Sequence, residues 1–119
     1  MTPSVDPASQ WLRGVLDVCL LSVVEGQPAY GYEMTTRLRE RGLDGVAEGS
    51  IYPALARLER DGYLHSFRVP SEGGPPRKYY RISDAGEALL IDHRKHWKTF
   101  ASGVAQVLQL GEQSHEQSH

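Results

Sequence analysis

Cysteine occurs once in the 119 residues, at Cys19, which excludes an intramolecular disulfide and a multi-cysteine zinc site. It stands in an apolar run and reads as a small buried hydrophobe, with a redox-sensing thiol as the sharper alternative. Long apolar stretches are also missing. No run reaches the roughly 18 residues that a transmembrane helix needs. The first ten residues are polar, include Pro3 and Pro7, and lack the basic-then-apolar pattern of a secretory signal. A cytoplasmic location is the resulting expectation.

Catalytic patterns are equally scarce. Gly73-Gly74 is not followed by the Gly-Lys-Ser/Thr of a phosphate-binding loop. His93 and His96 are three apart on an expected helix without a suitable third ligand, and His115 and His119 fall in a polar tail. No nucleophile is accompanied by an activating base. The expectation is no enzyme, no metal site and no cofactor.

An excess of positive charge is lacking too. Thirteen Lys and Arg against 15 Asp and Glu give a net charge of −2, which taken alone argues against a nucleic-acid partner. The distribution points the other way. Residues 30–82 hold nine basic and seven acidic side chains, a local balance of +2, whereas 1–29 and 83–119 each sum to −2. A mildly basic centre between acidic flanks suits a module with one side turned to DNA, although any solvated surface of mixed charge can produce it.

What is present is a series of short amphipathic segments in one domain. Trp11 to Glu25 reads as a helix with two apolar stripes, one through Leu12, Leu16, Cys19, Leu20 and Val23, the other through Trp11, Val15, Val18 and Ser22. The second stripe calls for cover from another subunit. After Gly26 and Pro28, a second helix runs from about Tyr30 to Arg41 with Tyr30, Met34 and Leu38 inward. A third follows over Ser50–Asp61 with Ile51, Leu55 and Leu58 inward. Its Pro53 is tolerable only near the start, which puts the beginning at Gly49 or Ser50, with Ser50 as the cap. Tyr63–Val69 and Arg77–Ile82 read as strands around a Gly/Pro-rich loop, Pro70–Pro76.

Ser83 caps a last helix that extends to about Leu110. In it Leu90, Trp97 and Val104 recur every seven residues, as do His93, Phe100 and Val107. This narrow seam argues for pairing with another helix, while a simple cap on its own domain is the bland alternative. The division expected is a flexible segment 1–10, a winged helix-turn-helix domain 11–82, a C-terminal dimerisation helix 83–110 and a disordered tail 111–119. The fold class is mainly α with a small β-hairpin wing.

In such an arrangement the second helix of the pair enters the major groove. On Ser50–Asp61 the outward residues include Ser50, Tyr52, Pro53 and Arg57. The hairpin adds Arg77 and Lys78 just past its tip, in reach of a phosphate backbone. Each has an ordinary reading. Arg57 can be a solvated helix charge, Tyr52 can pack beside the hairpin, and Arg77 and Lys78 can guard a strand edge.

Several segments together make a resemblance specific. They are Tyr30-Gly-Tyr-Glu33, Ser50-Ile-Tyr-Pro-Ala-Leu55 with Arg57-Leu-Glu59 and Asp61-Gly62, and Gly73-Gly74-Pro-Pro-Arg-Lys-Tyr-Tyr-Arg81. With Leu12-Arg-Gly14 and Ser83-Asp-Ala-Gly86, they resemble the PadR family of transcriptional regulators over roughly residues 11–105, in its compact branch with one terminal helix. Ala47 departs from the pattern, standing where such proteins often carry a polar residue before the recognition helix.

The resemblance implies a homodimer in which each terminal helix packs on the partner's first helix, with Trp11, Val15, Leu90, Trp97, Phe100 and Val104 at the interface. It implies DNA contacts by Tyr32, Ser50, Tyr52, Arg57, Arg77 and Lys78. It also implies repression relieved by a small, aromatic or drug-like ligand, for which Val15, Val18, Ser22, His93 and Trp97 are candidate lining residues. Two rivals stay open: a winged-helix protein- or ligand-binding module without a DNA target, and a drug-sequestering protein in which DNA binding is secondary.

Overall fold

A computed structural model describes residues 15–110. Trp11, the 1–10 segment and the 111–119 tail with its histidines lie outside the described residues. The element order is α1 (Leu16–Val23), β1 (Ala29–Tyr30), α2 (Gly31–Glu40), α3 (Glu48–Arg60), β2 (Leu64–Ser71), β3 (Gly74–Ile82) and α4 (Asp84–Val107). Helices α1, α2 and α3 pack on one another, and α4 returns to lie against α1. The core is built from Leu20, Leu21, Met34, Leu38, Val46, Ile51, Leu55, Leu58 and Leu64, all buried. Fully burying each such side chain contributes roughly 1.5–3 kcal/mol.

The inward stripes of α2 and α3 are those expected, with one exception. Tyr30 precedes α2, and its N–H donates to the Glu33 carboxylate at 3.3 Å. Tyr30 also belongs to a third strand that the sequence pattern did not reveal. Ala29 and Tyr30 pair antiparallel with Tyr80 and Tyr79, giving the sheet order β1-β3-β2. Two residues carry no period of their own, so only tertiary pairing defines this strand.

Helix α3 starts two residues before Ser50. Ala47 is the cap residue and makes no side-chain cap bond, while the Ser50 hydroxyl donates to the Ala47 carbonyl at 2.7 Å. Pro53 therefore sits in the second turn, where it supplies no N–H to the Gly49 carbonyl. The helix ends in a Schellman arrangement. Tyr63 N–H reaches Leu58 O at 2.9 Å and Gly62 N–H reaches Glu59 O at 3.1 Å, with Gly62 at φ +85°.

The strands run further into the Gly/Pro segment than composition suggests. The turn is confined to Glu72 and Gly73, the latter at φ +72°. Pairs Val69↔Arg77 and Ser71↔Gly74 leave Pro75 and Pro76 opposite the single Pro70, a bulge that accommodates three residues without full ladder capacity. The Ser71 hydroxyl donates to the Pro75 carbonyl across it at 2.6 Å.

Ser83 joins wing to arm. Its Oγ accepts from Gly86 N–H at 3.0 Å and donates to the Gly62 carbonyl at 2.6 Å. A Cβ on Gly86 would run into the Tyr63 carbonyl oxygen, so glycine lets α4 leave the sheet at this angle. The first three turns of α4 then pack on the core. Arg94 closes the contact with a two-pronged pair to Glu25 (2.8 and 3.2 Å) and a bond to Ser22 Oγ at 3.3 Å.

Beyond Arg94 the helix projects for 13 residues, about 20 Å at 1.5 Å each. It ends at Val107, short of Leu110, because Gln109 takes a left-handed φ of 64°. The radius of gyration is 17.0 Å, against roughly 13 Å for a compact domain of 100 residues.

Candidate nucleic-acid interface

The register divides the wing into two faces. Leu64/Ile82, Ser66/Tyr80 and Arg68/Lys78 share one face, and His65/Arg81, Phe67/Tyr79 and Val69/Arg77 share the other. Leu64 and Tyr80 are buried, so the first face is the one that packs towards α3. Arg77 and Lys78, neighbours in sequence, therefore point in opposite directions.

Lys78 Nζ pairs with Glu59 of α3 at 3.0 Å, and Ser66 donates to the same carboxylate. The Ser66 bond first, then Lys78, holds the Glu59 carboxyl below its ordinary range, and Glu59 in turn raises Lys78. Arg77 lies over the Tyr30 ring, 4.7 Å from its centroid. It belongs to an aromatic strip across the outer face, where Tyr30 stacks towards Tyr32 at 6.4 Å and Tyr79 lies between Tyr30 at 5.3 Å and Phe67 at 5.8 Å. Neither cation is at the wing tip. Arg77 is four residues past the turn, about 13 Å along an extended strand, and the tip carries Glu72.

On α3, Tyr52 lies against the start of α2. Its ring occupies the space where a Gly31 Cβ would project, and its hydroxyl donates to Glu48 at 2.8 Å. Burial first, then the Glu48 carboxylate, push its pKa up to about 12. Arg57 reaches across to Asp17 of α1 at 2.6 Å, and that hydrogen bond raises its pKa further. Tyr32 is exposed at the start of α2, with its ring towards the wing. Ser50 is exposed on the first turn of α3.

Two cations whose role composition does not separate from DNA contacts are structural. Arg37 donates to the carbonyls of Val23, Gln27 and Pro28 at 2.7–3.3 Å, closing the end of α1. Arg39 holds the Val46 carbonyl at 2.9 Å, fixing the turn before α3. Much of the basic surplus of the central region is thus spent inside the chain. The sequence reading missed three outward residues of α3, namely Gly49, Ala56 and Arg60. Plotting the helix opposite Ile51, Leu55 and Leu58 identifies all three.

The candidate interface and effector residues divide in the same way. Val18 packs on the core and Ser22 receives Arg94, so the second side of α1 is covered in part by the chain's own α4. Leu90 is 2% exposed and belongs to the chain's own core. By contrast Trp97 and Phe100 are 51% and 63% exposed, and Val104, Val107 and Leu108 are exposed with them. His93 is exposed and its ring meets the Leu89 carbonyl at 3.1 Å. A shallow, open depression runs along Lys98, Thr99, Ser102, Gly103 and Gln106 on one side of α4, and none of the five candidate effector residues lines it. Among the described residues no three His, Cys, Asp or Glu side chains cluster as metal ligands, and no helix is long and apolar enough to cross a membrane.

Three helices, a small antiparallel sheet with a two-stranded wing, and a long helix returning over the first define a winged helix-turn-helix with a C-terminal helical arm. Comparison places it further. Residues 20–92 match the model of the transcriptional regulator PadR-like family, and the chain belongs to that family, whose members are regulators rather than enzymes. A PadR-like transcriptional regulator of Bacillus cereus superposes with a TM-score of 0.73 at 38% identity, over 84% of this chain and 97% of that one. A transcriptional regulator of Mycobacterium tuberculosis is 32% identical over 89% of this chain and 92% of its own length. The PadR of Bacillus subtilis, solved in complex with operator DNA, shares the fold with a TM-score of 0.61 at 24% identity, over 66% of this chain and 45% of that one.

Proposed function

We propose that this regulator is a cytoplasmic repressor that binds a pseudo-palindromic operator as a homodimer and leaves it when a small ligand binds. The observation that carries the reading is the projecting half of α4. Its exposed Trp97, Phe100, Val104 and Val107 form an apolar stripe left open among the described residues, while α3 presents an open face on the winged domain. An apolar stripe of this size on a helix is what a partner subunit buries. A two-fold axis along such arms carries two α3 helices that suit successive major-groove segments, roughly 34–36 Å apart.

DNA recognition is further supported by the family and by the operator complex of the Bacillus subtilis relative. Ser50, Tyr52 and Tyr32 sit near the leading edge of α3, with Arg57, Arg77 and Lys78 as phosphate-directed cations once released from their internal partners. The ligand site proposed is between the arms, where Trp97 and His93 of one chain meet Val15, Val18 and Ser22 of the other. A ligand there weakens DNA binding only by preferring an arm angle that spoils the spacing of the two α3 helices.

Mobility-shift titration on the protein's own upstream region tests the reading. Retention that weakens steeply with salt, together with a dimer by sedimentation, is expected. A protein that stays monomeric at micromolar concentration with duplex present overturns it. The net charge of −2 favours the rival of a binding module without a DNA target, and absence of any duplex retention selects that rival. Quenching of Trp fluorescence by aromatic ligands, with no effect on retention, removes the ligand-release step alone.

A further inference from the structure

The outward face of α3 carries little side-chain chemistry. Opposite the buried Ile51, Leu55 and Leu58 lie Gly49, Pro53, Ala56 and Arg60, spaced by four, three and four residues, and all four are exposed. The hydrogen-bonding groups around this face already have partners. Ser50 Oγ donates to Ala47 O, the Tyr52 hydroxyl to Glu48, Arg57 to Asp17, and Arg60 to Asp61 at 3.3 Å.

Gly49 has no structural reason to be glycine. Nothing lies within 4 Å of the position its Cβ would take, and it is not among the glycines with positive φ. Glycine inside a helix weakens it relative to alanine. A residue that the fold does not require, at the leading end of an exposed face, points to something that must come close from outside.

A major groove offers a helix two kinds of base contact, hydrogen bonds to the base edges and apolar contact with the C5-methyl of thymine. The centre of this face is equipped for the second. Resting on the reading of α3 as the DNA-recognition helix, we infer that Pro53 and Ala56 select thymine-bearing half-sites by apolar contact with thymine methyl groups. Gly49 lets the helix backbone lie close enough for that contact. Arg60, at the far end of the same face, meets the phosphate backbone.

The test uses the full-length protein and a duplex that it enriches from a randomised library, bound in a fluorescence-anisotropy titration. Each dT of the half-sites is replaced singly by dU, which removes only the methyl group. Burying one such carbon corresponds to about a fourfold change in affinity. The expected result is a loss of that order at one or two positions per half-site, and none at dT positions outside them. In Pro53→Ala or Ala56→Gly the penalty for dU at the matching position shrinks. Gly49→Ala raises the unfolding midpoint or leaves it unchanged, yet weakens binding to every duplex.

The failures are distinguishable. If no duplex is enriched, the DNA-recognition reading falls and this inference with it. If duplexes are enriched but dU versions bind as tightly as dT, methyl contact is overturned and DNA recognition stands. If the dU penalty persists undiminished in both Pro53→Ala and Ala56→Gly, the methyl groups are read by another element and the assignment to α3 is overturned.

Discussion

Leu55 and Phe100 are both large apolar residues on regular helices, and each belongs to a stripe that the sequence marks by spacing alone. Leu55 is wholly buried between α3 and its neighbours, whereas Phe100 is 63% exposed on the projecting half of α4. The division falls within α4 itself. Leu90 is sealed in the core, Arg94 clamps the helix to Glu25, and every large apolar residue from Trp97 onward is open. Periodicity reports that a face must be covered. It does not report which chain supplies the cover.

Substitutions at the two sites should separate these meanings. Leu55→Ala leaves a cavity in the winged domain and is expected to reduce stability by about 2–5 kcal/mol. The loss should be the same at every protein concentration, as read by urea unfolding. Phe100 is exposed on the projecting half of α4, so Phe100→Ala leaves the core of the winged domain intact. Its effect is expected in the subunit equilibrium, at about 2 kcal/mol for a central aromatic anchor, or roughly thirtyfold in the dimer dissociation constant. The unfolding midpoint of the wild type should rise with protein concentration and that of Phe100→Ala should rise less. Equal losses at high and low concentration would remove the distinction between the two stripes.

The same contrast explains what could be read from the sequence. The inward residues of α2 and α3 were legible because helical period and burial coincide, and Ser83 was legible because a cap is a local device. The β1 strand was not, since two residues acquire their identity only by lying beside Tyr79 and Tyr80. The start of α3 was misplaced because Pro53 was taken to require the first turn, whereas the helix carries it in the second.

Of the candidate site residues, identity and exposure were accessible but partnership was not. No spacing rule connects Arg57 with Asp17, 40 residues earlier, or Lys78 with Glu59. Leu90 was grouped with the arm by its heptad position, although the clamp that divides core from arm lies one turn beyond it.

The Arg57–Asp17 pair ties the proposed reading helix to α1, and it sets recognition against scaffold in a single contact. Asp17→Asn keeps the shape of the side chain and removes its charge, which frees Arg57 to meet a phosphate. Binding to duplex should tighten, and the logarithmic dependence of affinity on salt should steepen by about one ion, the value expected for one added phosphate contact. Mobility-shift titrations across a salt series read this directly. An unchanged slope would mean that Arg57 serves only to hold α3 on α1.

The smallest effect concerns the clamp at the boundary between core and arm. Glu25 is held below its ordinary carboxylate range, first by the hydrogen bond from Arg94, which burial opposes, and then by the charges of Arg94 and Arg41. A carboxyl whose folded pKa is depressed stabilises the fold above its unfolded pKa, near 4.5, and that contribution is lost as pH falls through the lower, folded value. Arg94 stays charged throughout this range, so only Glu25 titrates. Wild type should therefore exceed Glu25→Gln by about 0.5 kcal/mol near neutral pH, the scale of an exposed ion pair. The gap should persist down to about pH 5 and close below it. Chemical unfolding of both proteins between pH 3 and 7 checks this, provided protein concentration is held fixed so that subunit exchange does not enter. A gap that instead widened on acidification would mean that Glu25 is ionised more easily in the unfolded chain, and that the clamp does not fix where the core ends and the arm begins.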